Sequence, residues 1–384
     1  MRTLQGSVGL CLVAVLATSP LTAQDIRPVD IHGFGGWSFG QTSVNRFLGA
    51  DDDGEYSKTN FALKLTSTGI PAVQLNAQLF LRNGFDGSST SLDYAFADWE
   101  LNPALHVRVG KVKHPFGIYS EVAGLGTVRP FLNLPQVIYG PVAIASKSYR
   151  GVGLSGSVSL SNRWGLDYDL YGGGIEFEQE ESALALISSA AADSAARVSD
   201  VLFESEAVIG GRLVIEAPVD GLRIGASAYS GRPESYTSPS STLRYHVYAG
   251  QAEYVIDRTW VRGEIARQID KIPGTDDRAT SAYVEVAQFI GGNWQVAGQW
   301  SWFDVKVTLP PPATAPGDLT HHREWAMGVN YWVSPEFGLK SSIHWTEGNL
   351  FAELNQQDFL QVLFTRMSPQ PRTRLLQFGA QFSF

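Results

Sequence analysis

Six cations and one acid crowd a single stretch of the chain: Arg108, Lys111, Lys113, Arg129, Lys147 and Arg150 against Glu121 alone. The remainder of the 384 residues is acidic enough to bring the formal net charge to −9. Chemistry open to such a cluster is electrostatic, because like charges on a narrow, low-dielectric wall concentrate counter-ions and lower their entry barrier. The spacing therefore predicts a basic constriction that prefers anions. The competing reading is that these side chains pair with acids such as Asp93, Asp167, Asp169, Glu264 or Glu285, or stand in solvent. Arg223, Arg244, Arg262 and Lys340 would extend a basic track, which Glu264 interrupts.

Other constellations offer less. Gly151-Val152-Gly153-Leu154-Ser155-Gly156 has dinucleotide-loop spacing, but the residues after it alternate as a strand and open no helix, so the phosphate-binding geometry is missing. The acidic run 51–55 lacks the ligand spacing and distal Glu of a calcium loop. His321 and His322 are adjacent, so on an extended chain they point apart and do not share a metal. No H-E-x-x-H appears. The expectation is no enzyme, no metal and no cofactor, and the acidic balance argues against nucleic acid.

The elements that must position the cations are strands. Residues 373–384 (TRLLQFGAQFSF) place Leu376, Phe378, Ala380, Phe382 and Phe384 on one side and Gln377, Gly379, Gln381 and Ser383 on the other. The same period returns at 72–83 and 294–305, with Gln295, Gln299 and Ser301 opposing Trp294, Val296, Trp300 and Trp302. Mean hydropathy is −0.07, and beyond the N-terminus no apolar run approaches the ~20 residues of a spanning helix. A chain built of strands with one apolar face crosses a bilayer only as a closed barrel. Residues 1–23 read as an export signal, with Arg2 at the positive end and the apolar run 8–17, leaving the domain 24–384. The only cysteine, Cys11, goes with it.

About sixteen strands follow, joined by seven short and eight long connections in alternation, which puts both termini on the short-turn side. A short helix is conceivable in the Ala- and Ser-rich insertion 178–205, and 359–365 reads either as loop or as strand extension. The connection 113–147 is too long for a turn and too apolar for a solvated loop, since Phe116, Ile118, Tyr119, Phe131, Val137, Ile138 and Tyr139 need cover. Folding inward as the third loop would supply it. The fold class expected is all-β, a transmembrane antiparallel β-barrel of sixteen strands.

Residues 108–121 (RVGKVKHPFGIYSE), Arg129-Pro130-Phe131 and 134–139 (LPQVIY) resemble the region after the fifth strand in proteobacterial porins related to the phosphate-selective O and P porins. The terminal Phe384 matches as well. The close match covers about thirty residues, and the remainder agrees in strand pattern and length. The resemblance implies an outer-membrane, usually homotrimeric porin that passes small hydrophilic solutes, with lipid as its surroundings. It also implies that Lys111, Pro115, Phe116, Gly117, Arg129, Pro130 and Pro135 shape the loop rather than bind solute. The Arg and Lys ladder of phosphate-specific members is not matched by 29 such residues in an acidic chain. Two other readings stay open: a plugged barrel acting as receptor or structural protein, and an outer-membrane hydrolase with a Ser or Asp/His site at its rim.

Overall fold

The computed structural model describes residues 29–84, 87–140, 144–160, 163–177, 203–233, 244–271, 277–306, 317–353 and 370–384. The export signal, most of the insertion 178–205 and the segment 359–365 lie outside the described residues.

Sixteen strands form one closed antiparallel barrel in which each strand pairs with its sequence neighbours and β1 meets β16. They are β1 (Val29–Thr42), β2 (Thr59–Ile70), β3 (Val73–Gly84), β4 (Gly87–Asn102), β5 (Leu105–Lys113), β6 (Ser148–Ser159), β7 (Gly165–Phe177) and β8 (Phe203–Glu216). The second half is β9 (Leu222–Pro233), β10 (Arg244–Ile256), β11 (Thr259–Lys271), β12 (Asp277–Ile290), β13 (Trp294–Lys306), β14 (His321–Ser334), β15 (Phe337–Glu347) and β16 (Arg372–Ser383). Closure runs through pairs such as Phe39 with Phe378 and Gly35 with Phe382. With every ladder paired, no sheet edge is left open.

The period-two pattern becomes two surfaces. On β12, Val284 and Val286 are exposed while Tyr283, Glu285 and Ala287 are buried. On β16, Leu376 and Phe378 are exposed while Gln377 and Gln381 are buried. A soluble sheet would bury the apolar row, and here it is the polar row that is covered, as a barrel in lipid requires. No helix among the described residues is long and apolar enough to cross a membrane.

The connections depart from strict alternation by length. Strand β4 begins at Gly87 rather than near position 91, so only residues 85 and 86 join it to β3. Hydroxyl residues that read as loop remain in register there: Ser88 pairs with Asn83 and donates to its side-chain oxygen at 2.7 Å. Strands continue past the apolar belt, and polarity does not end them. Between β11 and β12 five residues, 272–276, suffice.

Candidate functional site

Residues 114–140 follow β5 with two single 3-10 turns (Ser120–Val122 and Gly126–Val128) and one helical turn (Gln136–Tyr139). Pro115, Pro130 and Pro135 withhold backbone donors and hold their predecessors extended, as at Arg129 (φ −130°, ψ 154°), so this stretch joins no ladder. Its polar groups go to side chains on the polar row of distant strands. Tyr119 donates to Glu285 of β12 at 2.6 Å, Tyr139 to Glu264 of β11 at 2.6 Å, and Asn330 of β14 donates to the Pro130 carbonyl at 2.8 Å. Burial raises both tyrosine hydroxyls well above their usual range, which keeps them as donors. Gly117 (φ 62°) fits because a Cβ there would meet the Glu264 carboxylate and the Tyr139 hydroxyl. Phe116, Tyr119, Val137 and Ile138 are all buried, as their apolar character demanded.

Between this segment and the wall from β5 to β11 lies a cavity of about 500 Å³. Four guanidiniums line it, Arg108, Arg212, Arg223 and Arg262, with the four carboxylates of Glu121, Asp167, Asp169 and Glu253. They are interlocked. Arg108 bonds Asp98 at 2.9 Å and lies 3.6 Å from Asp169; Arg212 holds Asp169 at 2.8 Å and also Glu121; Arg223 holds Asp167 at 3.1 Å. Arg262 donates to Glu253 at 2.5 Å and to the Tyr119 hydroxyl at 2.9 Å, with Trp260 against its guanidinium. Each guanidinium lies within ion-pair distance of at least one carboxylate, so their fields largely cancel over a few ångströms.

Of the seven residues singled out by charge, the structure brings only Arg108 and Glu121 to this cavity. Lys111 shares a face of β5 with Val107 and exposed Val109, and its Nζ donates to the Leu92 carbonyl at 2.8 Å. Its register partner Arg150 shares a face of β6 with exposed Val152 and Leu154. Lys113 pairs with Asp93 at 3.0 Å, and Lys147 is exposed. Arg129 is 6% exposed and spends its guanidinium on three carbonyls, Ala123 at 2.5 Å, Leu132 at 2.9 Å and Phe131 at 3.2 Å. Burial pulls it down to about 10, which still leaves it charged at neutral pH. Of the six cations, then, only Arg108 lines the cavity, and two meet acids of the competing reading: Lys113 with Asp93, and Arg108 with Asp169. Among the extended track, Arg223 and Arg262 line the cavity, Lys340 is buried, and Arg244 shares a face of β10 with exposed Tyr248.

Charge counting missed Arg212, Glu253 and Asp98, which come from strands outside the basic stretch, and His106, which is on β5 itself but counts as neutral; His106 lies 2.9 Å from Asp98. A second cluster was also invisible. Ser342 and His344 are two apart on β15, Ser342 Oγ is 2.9 Å from His344 Nε2, and His344 Nδ1 is 2.6 Å from Glu324, which also meets His322 at 3.0 Å. That is the order of a nucleophile, base and orienting acid. Its members are at most 5% exposed, Phe131 packs on His344, and none of them lines the 500 Å³ cavity. The pentapeptide Gly36-Trp37-Ser38-Phe39-Gly40 has nucleophile-elbow spacing, yet it runs unbroken through β1 with no helix after it. Among the described residues no group of three or more His, Cys, Asp or Glu is placed to hold a metal ion.

No protein-family model matches the chain, and no curated protein sequence does. Solved structures do share the fold. The outer-membrane channel DcaP of Acinetobacter baumannii is 10% identical with a TM-score of 0.58, over 93% of this chain and 97% of that one. An anion-selective porin from Comamonas acidovorans is 12% identical with a TM-score of 0.57, over 93% and 100%. The trimer form of OmpT, an outer membrane protein of Vibrio cholerae, is 10% identical with a TM-score of 0.56, over 93% and 99%.

Proposed function

We propose that this chain is a bacterial outer-membrane porin, a passive channel for small hydrophilic solutes, exported by residues 1–23 and working as a homotrimer without covalent chemistry or cofactor. One observation carries the reading: a closed sixteen-stranded barrel has an apolar exposed row outside and a cavity lined by charged side chains beside the segment 114–140. Sixteen strands leave a water-filled lumen unless something fills it. The segment acts as an inward third loop, supported by its hydrogen bonds to the polar rows of β8, β11, β12, β14, β15 and β16. The likeness to DcaP, OmpT and the Comamonas porin supports the same reading, and the resemblance of residues 108–139 to the phosphate-selective O and P porins supports a place near them.

The loop's charge suggests an anion preference, whereas the cavity lining supports a nearly balanced passage. Arg108, Arg212, Arg223 and Arg262 are 25%, 14%, 44% and 12% exposed, and Glu121, Asp167, Asp169 and Glu253 are 35%, 33%, 9% and 17% exposed, so solute meets guanidinium and carboxylate about equally. Purified protein in a planar bilayer tests both parts. Stable ohmic steps are expected; silence would sink the channel and favour a plugged barrel. In a salt gradient the reversal potential should be small, and a strong preference of either sign would refute the balanced lining.

The Ser342, His344 and Glu324 relay favours a second reading as a hydrolase. A fluorophosphonate probe decides it: labelling of the folded barrel that is lost in Ser342→Ala would establish a reactive serine. No labelling is expected, because the relay lies beneath Phe131.

A further inference from the structure

The stretch 126–132 cannot enter a sheet, and side chains satisfy its carbonyls almost one by one. Lys340 takes those of Gly126 at 2.7 Å and Arg129 at 2.5 Å, Arg262 takes Val128 at 2.9 Å, and Asn330 takes Pro130. Arg129 takes Phe131 and Leu132, and Gln381 also reaches Leu132, at 3.1 Å. Lys340 stands apart within this set. It grips two carbonyls on either side of a turn, and its third donor goes to the Gln381 side-chain oxygen at 2.8 Å, which saturates the ammonium. It is 4% exposed, and among the described residues no carboxylate lies within ion-pair distance of its Nζ. A buried cation tolerates such a site only while its acceptors stay in place.

We propose that Lys340 is a positioning residue for the passage: its ammonium clasps the turn 126–129 against β15 and β16, and so fixes how far the segment 114–140 intrudes on the cavity. The proposal rests on the channel reading above. Lys340 touches no solute in this role. Two of its three acceptors belong to the loop, so displacing the loop would strip the ammonium of most of its partners. Equally, removing the ammonium leaves the buried Arg129 carbonyl without its donor and the Gly126 carbonyl with only the Arg129 N–H at 3.3 Å. Loop position and the state of Lys340 are therefore coupled. Wall residues that bond the loop once, such as Asn330, hold only one point of it.

The test compares Lys340→Met and Lys340→Arg with the parent, each shown by heat-modifiable gel mobility to be a folded barrel. In planar bilayers Lys340→Met should give larger steps and greater open-channel noise, while Lys340→Arg, which keeps charge and donors, should follow the parent. Thr127 and Ser383 have hydroxyls 3.4 Å apart, so Thr127→Cys with Ser383→Cys offers a disulfide staple that holds the same turn without Lys340. Oxidised, the staple should return Lys340→Met to the parent's conductance and noise, and reduction should undo this. Folded Lys340→Met with parental steps and noise overturns the proposal, as does a stapled variant that stays noisy. A silent parent would instead remove the channel reading, and the clasp is then judged by maleimide labelling of Thr127→Cys as the chain's only cysteine after Cys11. Labelling several-fold faster with Lys340→Met supports it, and an unchanged rate overturns it. Should Lys340→Met fail to fold, Lys340→Gln, which keeps a donor, carries the same outcomes.

Discussion

Replacing Arg212 by Met should destabilise the barrel chiefly through Asp169 and only slightly through the loop acid Glu121, although the guanidinium touches both. Arg212 donates to one Asp169 oxygen through Nε at 3.1 Å and Nη2 at 2.8 Å, and through Nη2 to Glu121. Burial decides between them. The Asp169 side chain is 9% exposed and that of Glu121 is 35% exposed. Stranding a buried partner costs about 3–5 kcal/mol in general, and Arg108, 3.6 Å from the other Asp169 oxygen, recovers part of it, so roughly 2–3 kcal/mol is expected for Arg212→Met. In double-mutant cycles the coupling to Asp169→Asn should come to about 2 kcal/mol, and the coupling to Glu121→Gln, where water screens the pair, to about 0.5 kcal/mol.

Urea unfolding in lipid vesicles, followed by the fluorescence of the chain's ten tryptophans, measures all six proteins on one scale. The ordering is the test. A Glu121 coupling equal to or larger than that of Asp169 would mean that contact geometry rather than desolvation sets the strength of these pairs. The account of the lining, in which burial decides which pairs hold the wall together, would then fail with it.

Two further perturbations probe the barrel's surroundings and its interior. Val284 lies near the middle of β12 on the exposed row, so Val284→Arg should cost about 2–4 kcal/mol in the same unfolding assay, as for a charge placed at the bilayer midplane. A cost below about 1 kcal/mol would show that this row does not face hydrocarbon. His114, just past β5, is fully buried and bonded to the Tyr171 hydroxyl at 2.6 Å, and burial pulls it down to about 3 from an ordinary 6.5. Its folded form binds fewer protons than its unfolded form, so its contribution is intact above about pH 6.5 and declines by about 1.4 kcal/mol per pH unit as pH falls toward 3. His114→Gln should flatten the stability profile between pH 6 and 4 by that slope, and an unchanged profile would contradict a neutral buried imidazole.

What the sequence disclosed follows from how local each signal is. The two faces of β16 and β13 were legible because alternation is written in adjacent residues, and the need to cover Phe116, Tyr119, Val137 and Ile138 was legible because their transfer to water is unfavourable wherever they sit. Strand ends were not, since Ser88, Ser89 and Thr90 pair as well outside the apolar belt as within it. Partners were least legible of all. Arg212 meets Glu121 from 91 positions away, and Tyr119 meets Glu285 from 166, so no window of sequence contains them. One error was avoidable: Val107, Val109 and Lys111 lie at even spacing, and the alternation that located β5 already set Lys111 on the other side from Arg108.

The placement of Arg129 and Lys340 has a physical cause that reaches beyond this stretch. A chain segment held inside a barrel has no neighbouring strand, yet each of its buried carbonyls still needs a donor. Lys brings three donors and Arg five, so cationic side chains satisfy the most carbonyls for each side chain buried. Arg129 and Lys340 together serve five carbonyls, at 123, 126, 129, 131 and 132. Arg129 and Lys340 are consumed in this way by the backbone, so a cation in or beside such a segment is not by itself a measure of electrostatic field. The field within the cavity comes instead from pairs such as Arg223 with Asp167, brought together from different strands and partly open to water.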